Sequence, residues 1–413
     1  MNNDGKRVIL HCDCNNFFAS VETALNPENI GVPMAVCGST EDRHGIVLAK
    51  NELAKTYGVK TAETVYSAKK KCPGLVIVSP HYDKYSEYSA RVNAIYAKYT
   101  DMVEPFGIDE SWLDVTASRK LFGTGEQIAE MIRSEVKEKI GITVSIGVSF
   151  NKVFAKLGSD YKKPDAITVI NEDNFRDIVY PLPVGDLLFI GKKTEAVLAS
   201  MGIRTIGDLA NSSPDMLRMR IGKAGEMIYR YARGEDDSPV SPRHEDAKSI
   251  GNGFTFRHNL VSKEECRVGI DFLAEEIGRR LRAEGMKCAT VQLTIKDEYL
   301  RSIQRQRTIR PPTDISREIA ALAYDILMDE WSEGKPIRMI TVTASNLVRS
   351  EMVCEQIDMF APAANVARDK SKKREETIDK IRQKHGTASI VTGSVMDSDI
   401  GVFDSDKEKN KNG

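Results

Sequence analysis

Three acidic residues have the types and spacing for chemistry on phosphates. Asp13 closes the apolar run RVILHCD, and Asp109 and Glu110 stand side by side in VEPFGIDESWLDV. A single acid after a strand is common; two adjacent acids between strand-like runs, matched by a third at an earlier strand end, are rarer. Adjacent carboxylates repel, so a folded site that holds them needs a divalent cation, a proton or a base close by. Hard oxygen ligands suit Mg²⁺. Two such ions about 3.5–4 Å apart clamp both the attacking and the leaving oxygen of a phosphoryl transfer. Cys12 and Cys14 flank Asp13 and raise the alternative of a thiolate metal site. Two thiols without further partners fit small core residues better.

The elements that must position these acids follow from local pattern. Residues 8–13 read as a short buried strand, and NNFFASVETAL as a helix capped by Asn15 or Asn16. The lysine-rich stretch LAKNELAKTYGVKTAETVYSAKKKCPG is helical in parts and punctuated by Gly58 and Pro73. LVIVSP is a strand, and residues 83–100 carry a Tyr-rich helical pattern. MVEPF and SWLDVT bracket the acidic pair as a hairpin. A helix over 124–140, the strand TVSIGVS and the helix NKVFAKLGSDYKK, stopped by Pro164, complete a βαββαβ-type sheet of the split βαβ kind. The expected fold class is therefore α/β in the α+β sense.

From Pro183 to Gly234 the pattern changes to short helices broken by glycine, around Gly191–Lys192 and again around Gly222–Lys223. Helix–hairpin–helix units of this kind offer backbone N–H groups to a phosphate without reading sequence. A plain small helical bundle is the alternative. The polar stretch GEDDSPVSPRHEDAK reads as a linker, and a second α/β unit follows. There TVQLTIKD alternates with Val291, Leu293 and Ile295 inward, and RSIQRQRTIR places Arg301, Arg305 and Arg307 on one face. An arginine-lined sheet face suits a nucleic-acid backbone; a solvated strand fits the pattern equally well. Residues 315–331 read as another helix and MITVTASNLV as the last strand. Residues 351–413 are charged and loosely patterned, helical at most around 366–384, and otherwise expected to be largely disordered.

A chain of 413 residues has room for two to four domains with sizeable cores. Lys and Arg total 59 against 60 Asp and Glu, so any polyanion site must come from local clustering rather than net charge. Seven cysteines without a CxxC pair, and no signal-like start, read as reduced thiols in a cytoplasmic protein. No apolar stretch approaches the ~20 residues that cross a bilayer, so no membrane partner is expected.

In this order, DCNNFFASVE, GIDESWLDV, SIGVSFNKVFAKLGSDYKKP, MGIRTIGDLA, GKAGEMIYRYARGEDDSPV and SIGNGFTF resemble bacterial Y-family translesion DNA polymerases of the DNA polymerase IV type. The resemblance covers residues 7–350. It implies a right-hand polymerase, with a ferredoxin-like palm at 1–22 and 83–172, small fingers at 23–82 and a helix–hairpin–helix thumb at 173–238. A linker at 239–247 and a separate α/β little finger at 248–350 follow, then a clamp-binding peptide and tail. It also implies low-fidelity addition of dNTPs to a primer 3′-OH on primer–template DNA, by a monomer without proofreading.

Residue by residue, Asp13, Asp109 and Glu110 match the catalytic metal ligands for two Mg²⁺ ions, and the backbone carbonyl of Cys14 is a further ligand. Phe18, five residues after Asp13, matches a steric gate against the ribose 2′-OH, with Phe17 beside it in the nucleotide pocket. The residues that hold the triphosphate depart from the family pattern. Glu52 and Lys55 stand where a Tyr and an Arg are usual, Lys163 matches a later phosphate lysine, and Ala166 stands where a Gly is often found. Lys55 supplies a point charge but not a bidentate contact. DNA contacts are expected from Gly191, Lys192, Gly222, Lys223, Arg301, Arg305 and Arg307. In EQIDMF, the residues Gln356, Ile357, Met359 and Phe360 resemble the peptide that docks on the sliding clamp, the β subunit. An ordinary strand exit is the bland reading of so short a motif. A non-catalytic scaffold bound to DNA and clamp is the alternative function; the loss of one carboxylate would favour it, and all three are present.

Overall fold

The structure, a computed structural model, describes residues 6–39, 45–242, 246–353, 362–386, 389–396 and 398–402. It divides into two compact units, with the boundary close to residue 245. The first unit opens with β1 (Ile9–Cys14) and α1 (Phe17–Leu25). A small insertion follows: β2 (Met34–Cys37), β3 (Val47–Lys50), α2 (Glu52–Thr56), α3 (Val65–Lys71) and β4 (Val76–Val78). Its three strands form a separate sheet in the order β3-β2-β4. Then come α4 (Tyr82–Tyr96), β5 (Val103–Pro105), β6 (Glu110–Asp114), α5 (Arg119–Phe122), α6 (Gly125–Ile140), β7 (Val144–Ser149), α7 (Lys152–Tyr161) and β8 (Ile167–Ile170).

The main sheet has the order β5-β6-β1-β7-β8, so β1 lies in the middle. All six of its residues are buried, which is why the run ILHCDC shows no polar alternation. The chain order β1-α4-β5-β6-α6-β7 is the βαββαβ arrangement expected from the sequence. Leu10, Cys12 and Cys14 join the core with side chains of α4 and α6. Ile9 packs on the other face with Trp112 and Ala155, and His11 and Asp13 share that face by strand alternation. The same face carries α7. A Cβ at Gly147 would sit 1.8 Å from the Ala155 carbonyl oxygen, so only glycine lets α7 lie directly against β7.

Short helices α8 (Phe175–Val179), α9 (Lys192–Ser200), α10 (Ile206–Ala210), α11 (Pro214–Ile221) and α12 (Lys223–Ala232) close the first unit. They bury their own core around Leu198, Ile206, Leu209, Leu217 and Ile228.

The second unit contains β9 (Ser249–Leu260), α13 (Lys263–Ala283), β10 (Met286–Asp297), β11 (Ser302–Thr313), α14 (Ser316–Glu330) and β12 (Ile337–Arg349). Its sheet order is β11-β10-β12-β9, entirely antiparallel. Val291, Leu293 and Ile295 point inward as expected, into the core that α13 and α14 share. The expected shared face holds Arg305 and Arg307 but not Arg301. Arg305 pairs across the ladder with Leu293, and Arg307 with Val291, so both stand on the helix-bearing face. There Arg305 meets Glu330 at 3.0 Å and Arg307 meets Asp329. Arg301 lies before the strand and pairs with Asp297 at 2.8 Å. The open face is built instead from Gln292, Thr294, Gln304, Gln306, Thr341 and Thr343, with Lys296 at one end.

Beyond residue 351 the helix expected around 366–384 is present, and what differs from the expected loose tail is that it is docked. Helix α15 (Pro362–His385) and the short α16 (Gly393–Met396) fold onto the second unit. Arg282 reaches Glu375 at 2.5 Å and Asp379 at 2.6 Å, Arg368 reaches Glu318 at 2.7 Å, and Arg382 reaches Glu275 at 3.1 Å. Val395, Ile400 and Val402 then enter the core. Acids of α15 meet Arg282 and arginines of α15 meet acids of the domain, so a stretch that looks like solvated charge is docked by it. Arg282 is 11% exposed and Glu375 8%, and removing one partner strands the other. Arg282→Ala is expected to lower stability by about 3 kcal/mol. Urea denaturation measures this, and unchanged stability would mean that these ion pairs do not hold the tail.

Candidate active site

Register brings two of the three acids together. Asp13 lies directly opposite Glu110 in the β1–β6 ladder, and the Cys14 N–H donates to the Asp109 carbonyl at 3.0 Å. Asp13 is 8% exposed, whereas Asp109 and Glu110 are half-buried. Each of the two opposed carboxylates has its own lysine: Lys163 Nζ is 2.6 Å from Asp13 Oδ2, and Lys156 is in close contact with Glu110. Burial pushes the Asp13 carboxyl up to about 6, with Lys163 pulling the other way. Asp109 is raised by burial and then by Glu110. His11 and Lys156 hold Glu110 down, at about 2. Burial works against the charge on Lys163, but Asp13 and Asp160 outweigh it and raise its pKa.

His11 is fully buried behind the acids. The Ser159 hydroxyl donates to the Lys156 carbonyl at 2.7 Å and lies 2.8 Å from His11 Nδ1. Nε2 is left 3.2 Å from Glu110 Oε2, without an aligned hydrogen bond. The donor set is three carboxylates at adjoining positions of β1 and the start of β6, with lysine ammonium groups balancing two of them. Hard oxygens in that number fit divalent ions of the Mg²⁺ type.

Around the acids, Phe17 is buried in the palm core and Phe18 is half-buried. The Phe18 ring stacks on Tyr85 at 4.1 Å and 11°. Glu52 does not face the site unpaired: its Oε1 accepts from Asn16 Nδ2 at 2.9 Å, and Lys55 stands 3.6 Å from its other oxygen. Asn16 occupies the N-cap position of α1 at φ 48° but makes no side-chain cap, its amide being committed to Glu52. Asn15 ties down the loop that carries Lys163. It donates to Ser145 Oγ at 2.8 Å and accepts from the Asp165 N–H at 2.9 Å. The Asp165 carboxylate is held in turn by Arg133 at 2.8 Å and Lys137 at 2.6 Å.

Sequence reasoning passed over His11, Lys156 and Ser159. A signal existed: Lys152, Lys156 and Asp160 recur every four residues and so share one face of α7. Gly191 and Gly222 immediately precede α9 and α12, neither of which has a side-chain cap, and Lys192 and Lys223 are exposed at their starts. Gln356, Ile357, Met359 and Phe360 lie outside the described residues.

Residues 12–160 match the impB/mucB/samB family, residues 247–359 match the C-terminal domain of that family, and residues 186–236 match a thumb domain of DNA polymerase-iota. The DNA polymerase IV of Acetivibrio thermocellus is 47% identical over 393 residues, which are 95% of this chain and 98% of that protein. The DNA polymerase IV of Clostridium kluyveri is 38% identical over 94% of this chain and 98% of its own. DNA polymerase IV 1 of Bacillus subtilis is 34% identical over 94% and 93%. A solved Y-family DNA polymerase chimera shares the fold, with a TM-score of 0.74 and 24% identity, over 83% of this chain and 99% of its own. A ferredoxin-like palm, small fingers, a helical thumb and a separate α/β little finger form the right-hand architecture of that class. The chain belongs to the DNA polymerase IV family of Y-family DNA polymerases.

Proposed function

We propose that this polymerase carries out low-fidelity translesion synthesis by two-metal nucleotidyl transfer, with Asp13, Asp109 and Glu110 as the metal ligands. The observation that carries the reading is the ladder register that sets Asp13 opposite Glu110, with Asp109 adjacent. These acids and the Cys14 carbonyl would hold two Mg²⁺ ions, which activate the primer 3′-OH and neutralise the departing pyrophosphate. The protein's own residues position the groups. Lys163, on its braced loop 2.6 Å from Asp13, would serve the triphosphate oxygens. Lys55 supplies a second cation, held back by Glu52. Phe18, backed by Tyr85, would act as the gate at the sugar. The uncapped starts of α9 and α12 serve the DNA backbone, as the helix–hairpin–helix reading holds.

The proposed domain limits are a palm at 1–22 and 83–172, fingers at 23–82, a thumb at 173–238 and a little finger at 248–350. Among the described residues the fingers hold three short strands and two short α-helices, a small domain that would close loosely and discriminate poorly between right and wrong base-pair geometry. Tolerance of damaged templates follows from the same openness. Docking on a sliding clamp through residues 356–360 rests on the sequence motif alone. Among the described residues no helix is long and apolar enough to cross a membrane.

The test is extension of a primer across a template abasic site. Bypass that requires both dNTPs and Mg²⁺, and stops on chelation, is the expected result. Extension of undamaged template with a complete block at the lesion would remove the translesion reading.

A further inference from the structure

Glu22 lies near the end of α1 and is only 3% exposed. Among the described residues no lysine or arginine pairs with it; three donors from the start of α4 satisfy it instead. Its Oε1 accepts from the Tyr85 hydroxyl and, at 3.3 Å, from the His81 N–H. His81 Nδ1 lies 3.0 Å from both carboxylate oxygens. A buried carboxylate is costly unless it is fully hydrogen-bonded. Here the bonds converge on the residues that back Phe18.

Tyr85 is fully buried and lies flat against the Phe18 ring. Tyr82 meets Phe18 edge-on at 6.1 Å and Tyr85 edge-on at 5.8 Å. The hydroxyl of Tyr85 is its only polar anchor, and Glu22 is the acceptor. A ring that excludes one sugar hydroxyl must not yield, so its support has to hold position to about 0.5 Å. Glu22 also joins the two chain connections of the fingers, because residues 23–81 leave from α1 and return to α4 between its contacts.

We infer that Glu22 is a positioning residue for sugar selection: through Tyr85 it holds Phe18 rigid against the incoming nucleotide. The inference rests on the reading of Phe18 as the steric gate, and the experiment separates the two. The measurement is kcat/KM for a ribonucleotide relative to the matching deoxyribonucleotide, for wild type, Phe18→Ala, Glu22→Ala, Glu22→Gln and Tyr85→Phe. Glu22→Ala is expected to raise relative ribonucleotide use by about 10-fold, while kcat for the deoxyribonucleotide stays within about 2-fold. Tyr85→Phe keeps the ring and removes only the anchor, so it moves the ratio in the same direction. Glu22→Gln retains an acceptor and falls between. A merely structural defect lowers use of both nucleotides and leaves the ratio unchanged. If Phe18→Ala leaves selectivity at the wild-type level, the gate reading fails and this inference with it. If Phe18→Ala relaxes selectivity but Glu22→Ala and Tyr85→Phe do not, the inference alone is overturned. Should Glu22→Ala fail to fold, Tyr85→Phe decides.

Discussion

Primer extension falls by about 10³-fold or more when Asp109 and Glu110 are replaced together by Ala, while the chain still folds and still binds primer–template DNA. The size follows from what is left behind. Asp13 alone then faces the cations Lys156 and Lys163, so a divalent ion meets two positive charges and one carboxylate rather than three carboxylates. Folding should survive, because Asp109 is already held at a cost by burial and by its neighbour. Glu110 does lose contacts, but Lys156 is partly exposed and finds water. The check is single-nucleotide addition at saturating DNA, beside a DNA-binding titration and a circular dichroism spectrum. Losses from the single substitutions should not add up to that of the double, because the acids act as one unit. Retention of even a tenth of wild-type activity by the double variant would place the metal site elsewhere.

Replacing Phe18 by Ala should raise ribonucleotide use relative to deoxyribonucleotide use by about 10²-fold. A gate ring at this position would exclude the 2′-OH by volume rather than by a bond. Its removal therefore admits ribonucleotides and does little for the correct sugar. Phe17 is the internal control: it is buried in the palm core with Val21, so Phe17→Ala lowers stability instead of changing the sugar preference. Steady-state kinetics with matched nucleotide pairs separate the two outcomes. Equal selectivity in wild type and Phe18→Ala would remove the gate assignment.

Much of the palm was legible because its strands are short apolar runs with acids at their ends. The hairpin of β5 and β6, the strand β7 and the helix α7 lie where hydrophobic pattern and turn residues put them. The register between β1 and β6 was not legible, since pattern alone says nothing about which residues of two strands face each other. Strand β9 was missed because Gly251 and Gly253 interrupt it. Those glycines make room for Thr343 and Thr341 of β12, whose hydroxyls a Cβ would meet at 2.7 and 2.4 Å. On β11 the period of two put Arg305 and Arg307 on one face but did not show that this is the helix-bearing face: an edge strand can point arginines past the end of a helix and pair them there. The tail misled for a related reason, since acids that look solvated are satisfied by Arg282. Asn15 looked like a helix cap, and only the fold reveals that it pins the Lys163 loop.

The most direct measurement is the number of Mn²⁺ ions bound, counted by electron paramagnetic resonance, in a complex with primer–template DNA and a non-reacting dNTP analogue. The proposed mechanism predicts two ions per chain in the wild type, and loss of both in Asp109→Ala/Glu110→Ala with DNA still bound. Two ions retained by that variant would contradict the assignment of the site, and a wild type that binds none would contradict two-metal catalysis by these carboxylates.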